Sequence, residues 1–395
     1  MSTEAGCRFA KLSTAMVALV LTVLAALGCS ASDESASPGQ RRQTAGPEAG
    51  TGELEGQPTS LQPGAGLLLG TPIHGGDFAD PYVLAAGDAF YAYSTNTTDA
   101  NVPVMVVRNS PTARYVGDAL PQLPQWSEPG FVWAPAVLAL DDRYVLYYST
   151  RLAGTSTQCI SSAVAEDPVG PFVDDSSEPL VCQKDLGGSI DPSILTDRSG
   201  RHWLLFKNDG NCCAAPTSIW SQQLGADGRT LIGQPSELLT AEQGWEGELI
   251  EAPSMVVTDD GYVLFYSANA WDSERYAIGV ARCDSPSGPC ERIQSDPWMA
   301  STLFAHGPGG QEFFEALGDV WMVYHGWESP DAAGPGGIRR LHVDVVDFDG
   351  DVPQRVGARN AGLLLAAVVT AILIAVLAIW YGVLRRRRPR PAVSK

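Results

Sequence analysis

The segment Asp80-Pro81-Tyr82-Val83-Leu84, a polar turn, and then Phe90-Tyr91-Ala92-Tyr93-Ser94 set out a plan that the chain repeats. It returns as Ala134-Pro135-Ala136-Val137-Leu138 with Tyr144-Val145-Leu146-Tyr147-Tyr148, and as Asp191-Pro192-Ser193-Ile194-Leu195 with His202-Trp203-Leu204-Leu205-Phe206. Ala252-Pro253-Ser254-Met255-Val256 with Tyr262-Val263-Leu264-Phe265-Tyr266 is the fourth copy. Gly310-Gln311-Glu312-Phe313-Phe314 with Val320-Trp321-Met322-Val323-Tyr324 is a more degenerate fifth. Each copy opens with a small or acidic residue on an apolar strand and follows it with a second, more aromatic strand. The openings lie 54, 57, 61 and 58 residues apart. That period suits a four-stranded β-propeller blade, which gains its core only by packing against neighbouring blades. The expected fold is therefore all-β, a five-bladed propeller over residues 70–353. A β-sandwich would not need this period.

Around the repeat, the composition is that of a globular protein, 45% hydrophobic and 18% charged. The net charge of −19 argues against a phosphate-backbone partner, so no nucleic acid is expected. Eight of the 26 basic residues sit near the two ends of the chain. Arg8 and Lys11 precede an apolar run from Ala15 to Leu27, which has the proportions of a signal h-region. The turn Leu27-Gly28-Cys29 resembles a bacterial lipoprotein lipobox, with Cys29 as the acylated residue, although Ala26 stands where Leu is preferred. Residues 1–29 are read as a leader. Residues 30–69, polar and Pro/Gly-rich at first, are read as a disordered linker. Residues 354–360 lead to a continuous apolar stretch over 361–384, long enough to span a bilayer as a helix. Arg385, Arg386, Arg387 and Arg388 then hold the tail, 385–395, in the cytoplasm by the positive-inside rule. The expected location is the cell membrane, with a single pass and the propeller on the outer surface of a bacterial cell.

Six further cysteines, Cys159, Cys182, Cys212, Cys213, Cys283 and Cys290, fit disulfides in an exported domain. Cys283 and Cys290 flank a turn-forming loop. Cys212 and Cys213 are adjacent and either bridge each other or pair elsewhere. No His/Cys spacing supports zinc.

In a propeller the first strands of the blades line a central channel, so equivalent positions converge on one mouth. The register places Asp80 and Asp191 at one position in blades one and three, and Glu251 one residue earlier in blade four. Three carboxylates then face one axial pocket.

On these residues the chain resembles the glycoside hydrolase family 43 arabinofuranosidases, arabinanases and β-xylosidases. The motifs are Phe78-Ala79-Asp80-Pro81-Tyr82, Trp133-Ala134-Pro135, Ser189-Ile190-Asp191-Pro192-Ser193, Glu251-Ala252-Pro253, Gly307-Pro308-Gly309 and Tyr324-His325. The resemblance implies hydrolysis of arabinofuranosyl or xylosyl linkages by single displacement with inversion. It gives Asp80 as the base that activates water, Glu251 as the acid and Asp191 as the carboxylate that tunes and orients it. Inversion needs base and acid about 6.5–9.5 Å apart, with water between. The resemblance also marks Trp133 as a sugar-stacking residue and Arg339 as a sugar contact. Asn208 and His325 are further candidate substrate contacts. No cofactor is required. Gly310 stands where the family often has a His that joins an axial metal-water cluster, which counts against an axial calcium. The expected partner is an arabinose- or xylose-containing glycan. The alternative is a non-catalytic carbohydrate-binding propeller, against which the complete carboxylate trio speaks. The signatures of the sucrose-cleaving five-bladed hydrolases are absent.

Overall fold

The second strand of each repeat is apolar on both faces because both faces are buried. In His202–Asn208, Leu204 and Phe206 pack with Leu138, Val145 and Tyr147 of blade two. Leu205, between them, packs with Leu264 and Tyr266 of blade four. The same alternation turns Leu146 and Tyr148 toward blade one and Val263 and Phe265 toward blade five. The result is five apolar layers, one between each pair of neighbouring blades. The last, with Phe78, Val83, Met105, Val323, Leu341 and Val343, joins blade five to blade one.

The computed structural model describes residues 71–108, 113–334 and 336–356. The leader, Cys29, linker, spanning helix and basic tail of the sequence reading lie outside these residues. Among the described residues, no helix is long and apolar enough to cross a membrane. The described chain forms nineteen strands and four short 3₁₀ turns.

Four blades are four-stranded antiparallel sheets in chain order. They begin at Tyr82–Ala86, Ser189–Thr196, Ile250–Val257 and His306–Ala316. Blade two, beginning at Ser127–Ala139, has three strands, and the bridges Ile160↔Val181 and Val164↔Val173 extend its outer edge. The first strands of neighbouring blades touch each other around the axis. The segment before blade one closes the ring. Ile73 N donates to Leu341 O and Phe78 N to Arg339 O, both at 2.8 Å, on the third strand of blade five. The last strand, Val352–Arg355, runs two residues past the expected boundary. Arg355 Nε donates to the buried Asp344 carboxylate at 3.0 Å, an anchor that a four-residue strand does not advertise in sequence.

Candidate active site

The five positions aligned by the repeat share one backbone conformation. Asp80, Ala134, Asp191, Ala252 and Gly310 have φ of 47°, 45°, 56°, 47° and 59°. All five line one small axial cavity. For an L-residue this left-handed region costs about 1–2 kcal/mol, so the surrounding structure must impose it. In blades two to five a register break lies at this point. There the inner strand leaves its ladder, and the backbone N–H loses its strand partner. Proline follows in the first four blades and removes a second donor. In blade five Gln311 replaces it. Its side chain donates to Ala252 O at 2.7 Å and accepts from Ser267 Oγ at 2.8 Å.

Each freed N–H is taken up by a side chain of the preceding blade. Ala134 N donates to Thr95 Oγ1 (3.0 Å) and Asp191 N to Ser149 Oγ (3.0 Å). Gly310 N donates to Ser267 Oγ (2.9 Å) and Asp80 N to His325 Nδ1 (3.1 Å). Thr95, Ser149, Ser267 and His325 occupy one position on the second strand, opposite the residue before each left-handed position. The fifth occupant of that position is Lys207. An ammonium cannot accept, and Ala252 N donates instead to Asp191 Oδ2 at 2.9 Å. Asp191 thereby grips the residue that follows Glu251.

Lys207 is fully buried, with its ammonium 2.8 Å from Glu251 Oε2 and 2.8 Å from Asn211 Oδ1. Tyr276 donates to the other Glu251 oxygen at 2.8 Å. Burial alone would strip Lys207 of its charge, but Glu251 and Asp191 hold its pKa above the ordinary value. Burial, followed by the charge of Glu251, pushes Asp191 well above the ordinary carboxylate range, with Lys207 opposing. Asp191 therefore keeps its proton beside Glu251 at neutral pH. Asp80 is the contrast. Burial opposes its ionisation, yet Arg339, His325 and the Thr95 hydroxyl together hold its carboxyl below the usual range. Thr95 Oγ1 donates to Asp80 Oδ2 at 2.6 Å, and the Arg339 guanidinium lies 3.4 Å from the same oxygen. Burial pushes His325 down to about 3, so at neutral pH its ring is uncharged and Arg339 supplies the cation.

The three carboxylates, Trp133 and Arg339 line one cavity of about 480 Å³, a size typical of small-molecule sites. Trp133 sits on the wall with its ring edge-on to Phe131, and Arg339 lies over Trp271 and Trp327. An anionic carboxylate and a proton-bearing one in one cavity can activate a water and deliver a proton. A larger cleft of about 690 Å³ at the outer ends of blades four and five is lined by loop residues such as Asp259, Asp260 and Asp347. It holds none of the buried, unpaired polar groups found among the described residues.

Asn208 and His325, two expected contacts, do not line the cavity. Asn208 is 1% exposed and spends its whole side chain within its own blade. Its amide donates to Leu186 O and Pro216 O, and its oxygen accepts from Ser218 N and Trp220 Nε1. His325 is completely buried, stacked on Tyr276, and serves the amide ring beneath Asp80 rather than the cavity. The cysteines pair as Cys159–Cys182, Cys212–Cys213 and Cys283–Cys290. The adjacent pair bridges itself, and Cys212 reaches the cavity.

The axis does not fit a resident calcium. Gly310 brings no side chain, and a Cβ there would stand 2.7 Å from His325 Nδ1 and 2.9 Å from Asp80 Oδ1. No group of three or more His, Cys, Asp or Glu among the described residues is placed to hold a metal ion.

Sequence reasoning missed Lys207, Tyr276 and Thr95. A signal for Lys207 was present. It is one of four lysines in the chain and ends the apolar run Trp203-Leu204-Leu205-Phe206, where a charge demands a buried counter-ion.

Residues 69–352 match the family model described as Glycosyl hydrolases family 43. A β-D-galactofuranosidase of Aspergillus niger is 25% identical over 277 residues, covering 65% of this chain and 76% of that protein. An extracellular exo-α-(1→5)-L-arabinofuranosidase of Cellvibrio japonicus is 27% identical over 240 residues, covering 54% and 66%. The crystal structure of a thermostable family-43 glycoside hydrolase superposes with a TM-score of 0.64 at 25% identity, covering 71% of this chain and 93% of that one.

Replacing Lys207 leaves two buried carboxylates without their cation. Lys207→Met is expected to lower unfolding free energy by about 3–5 kcal/mol. The loss should be greater at pH 8 than at pH 5, because ionised carboxylates are then favoured only in the unfolded chain. Denaturant unfolding at both pH values measures this, and an equal loss at both would contradict the pairing.

Proposed function

This chain belongs to glycosyl hydrolases family 43, and we propose that it hydrolyses arabinofuranosyl or closely related glycosidic bonds by single displacement with inversion. The observation that carries the reading is the convergence of Asp80, held anionic, with Glu251 and the proton-retaining Asp191 in one cavity. The names of the Aspergillus and Cellvibrio relatives support furanosidic substrates, galactofuranosyl or arabinofuranosyl. Xylosyl linkages belong in the assay panel, because the family resemblance includes β-xylosidases.

In this mechanism Asp80 accepts a proton from water as its oxygen bonds to the anomeric carbon. The bond from that carbon to the leaving oxygen breaks, and Glu251 delivers the proton that this oxygen takes up. Asp191 holds Glu251 in place through Ala252 N and shares its proton. Tyr276 and Lys207 fix the Glu251 carboxylate. Arg339, beside Asp80, contacts the sugar, and Trp133 offers a stacking face.

We also propose that the propeller domain, 70–353, stands outside the cell, carried by the leader 1–29, the linker 30–69 and the helix over 361–384. Protease treatment of intact cells should remove the propeller and leave a C-terminal tag. Protection of the propeller would reverse this orientation.

Asp80→Ala and Glu251→Gln should each lower kcat/KM on an aryl α-L-arabinofuranoside by about 10²–10⁴-fold. The pH profile should be broad. Its acid limb should fall below the ordinary Asp value of about 3.9, because Asp80 must be ionised and its pKa is lowered. Its basic limb should lie above the carboxylate range, where Asp191 loses its proton. Turnover by Asp80→Ala equal to that of the unsubstituted enzyme, or no turnover of arabinofuranosides, galactofuranosides and xylosides alike, would remove the assignment.

A further inference from the structure

One side of the cavity carries polar groups that nothing in the protein satisfies. Gln158 is 1% exposed and lines the cavity, yet neither its amide nitrogen nor its oxygen has a hydrogen-bond partner. Arg151, its cross-strand neighbour, lines the cavity with its guanidinium over Phe131, 3.3 Å from the ring centroid, and its buried Nε unpaired. Asp209 is 6% exposed and lines the same wall, and no hydrogen bond reaches its carboxylate among the described residues. It starts a short turn without capping it. Each buried unpaired polar group costs about 1–3 kcal/mol, so the Gln158 oxygen and nitrogen and the Arg151 Nε on one cavity wall point to a ligand that completes them.

The position of this wall indicates which part of a ligand it meets. Asp209 feels the charges of Lys207, Glu251 and Arg151. Asp80 is held instead by Thr95 and Arg339. The wall thus flanks Glu251 rather than Asp80. An acid that protonates the leaving oxygen has the leaving group on its own side.

We propose that Arg151, Gln158 and Asp209 form a leaving-group subsite that takes a hydroxylated sugar. The inference rests on the glycosidase reading above. The chemistry matches, since each sugar hydroxyl both donates and accepts. Asp209 accepts, the Arg151 guanidinium donates, and the Gln158 amide does both. A carboxylate on the wall disfavours an anionic leaving group. The Phe131 face under Arg151 and the neighbouring Cys212–Cys213 ring supply apolar surface beside these polar groups.

The test compares two substrates with the same reacting furanoside. One carries an aryl leaving group without hydroxyls, and the other is an α-(1→5)-linked arabinotriose. In Gln158→Met and Asp209→Asn, the ratio of kcat/KM for the triose to that for the aryl substrate should fall roughly tenfold to hundredfold. Gln158→Met should also unfold at the same or a higher temperature, because it removes two buried unpaired groups. An unchanged ratio, including an equal fall on both substrates, would overturn the subsite. No turnover of either substrate by the unsubstituted enzyme would remove the glycosidase reading, and the subsite with it.

Discussion

Five backbone amides around the propeller axis have no partner in their own sheets, and the site is built from how they are satisfied. A buried N–H left alone costs about 1–3 kcal/mol, and the left-handed bend that frees it adds strain of its own. Four are capped by a hydroxyl or an imidazole from the blade before: Thr95, Ser149, Ser267 and His325. These bonds tie each blade to the next at the mouth, while the apolar layers tie them further out. The blades are therefore held in register where the carboxylates emerge, and Asp80, Asp191 and Glu251 need no loop to bring them together.

The exception in this ring matters most for chemistry. Lys207 occupies the fifth capping position and cannot accept, so Asp191 caps Ala252 and the ammonium turns to Glu251. A structural position has been converted into an electrostatic one. Two carboxylates and one ammonium lie together in a buried space, which keeps a proton on Asp191. On blade one the capping residue is the uncharged His325, and the cation beside Asp80 comes from Arg339 on another strand. The same backbone device thus presents one carboxylate as an anion and another as part of a proton store. Solvent exposure is not needed to separate them.

The repeat was legible because both faces of each second strand are buried, which leaves near-continuous aromatic runs at a fixed period. The register followed, and with it Asp80, Asp191 and Glu251, while Trp133 and Arg339 came from the family resemblance. Its finer consequence was also within reach. Thr95, Ser149, Lys207, Ser267 and His325 stand fifteen or sixteen residues after their left-handed partners. In Lys207-Asn208-Asp209, attention fell on Asn208. Successive strand residues face opposite ways, and Asn208 turns into its own blade while its neighbours serve the site. The role of His325 could not be separated from a cavity contact without the Asp80 amide that it accepts. Arg151 and Gln158 were out of reach, because their placement depends on how a hairpin edge meets the next blade. The adjacent cysteines stood open between two pairings, and the structure closes them on each other.

The central claim is that Asp80 activates water directly while the Asp191–Glu251 pair delivers the proton. The most direct measurement is proton NMR of the first-formed sugar during turnover of an α-L-arabinofuranoside. The account predicts that β-arabinofuranose appears first and the α-anomer only later, by mutarotation. An α-anomer formed first would mean double displacement through a covalent intermediate and would contradict it.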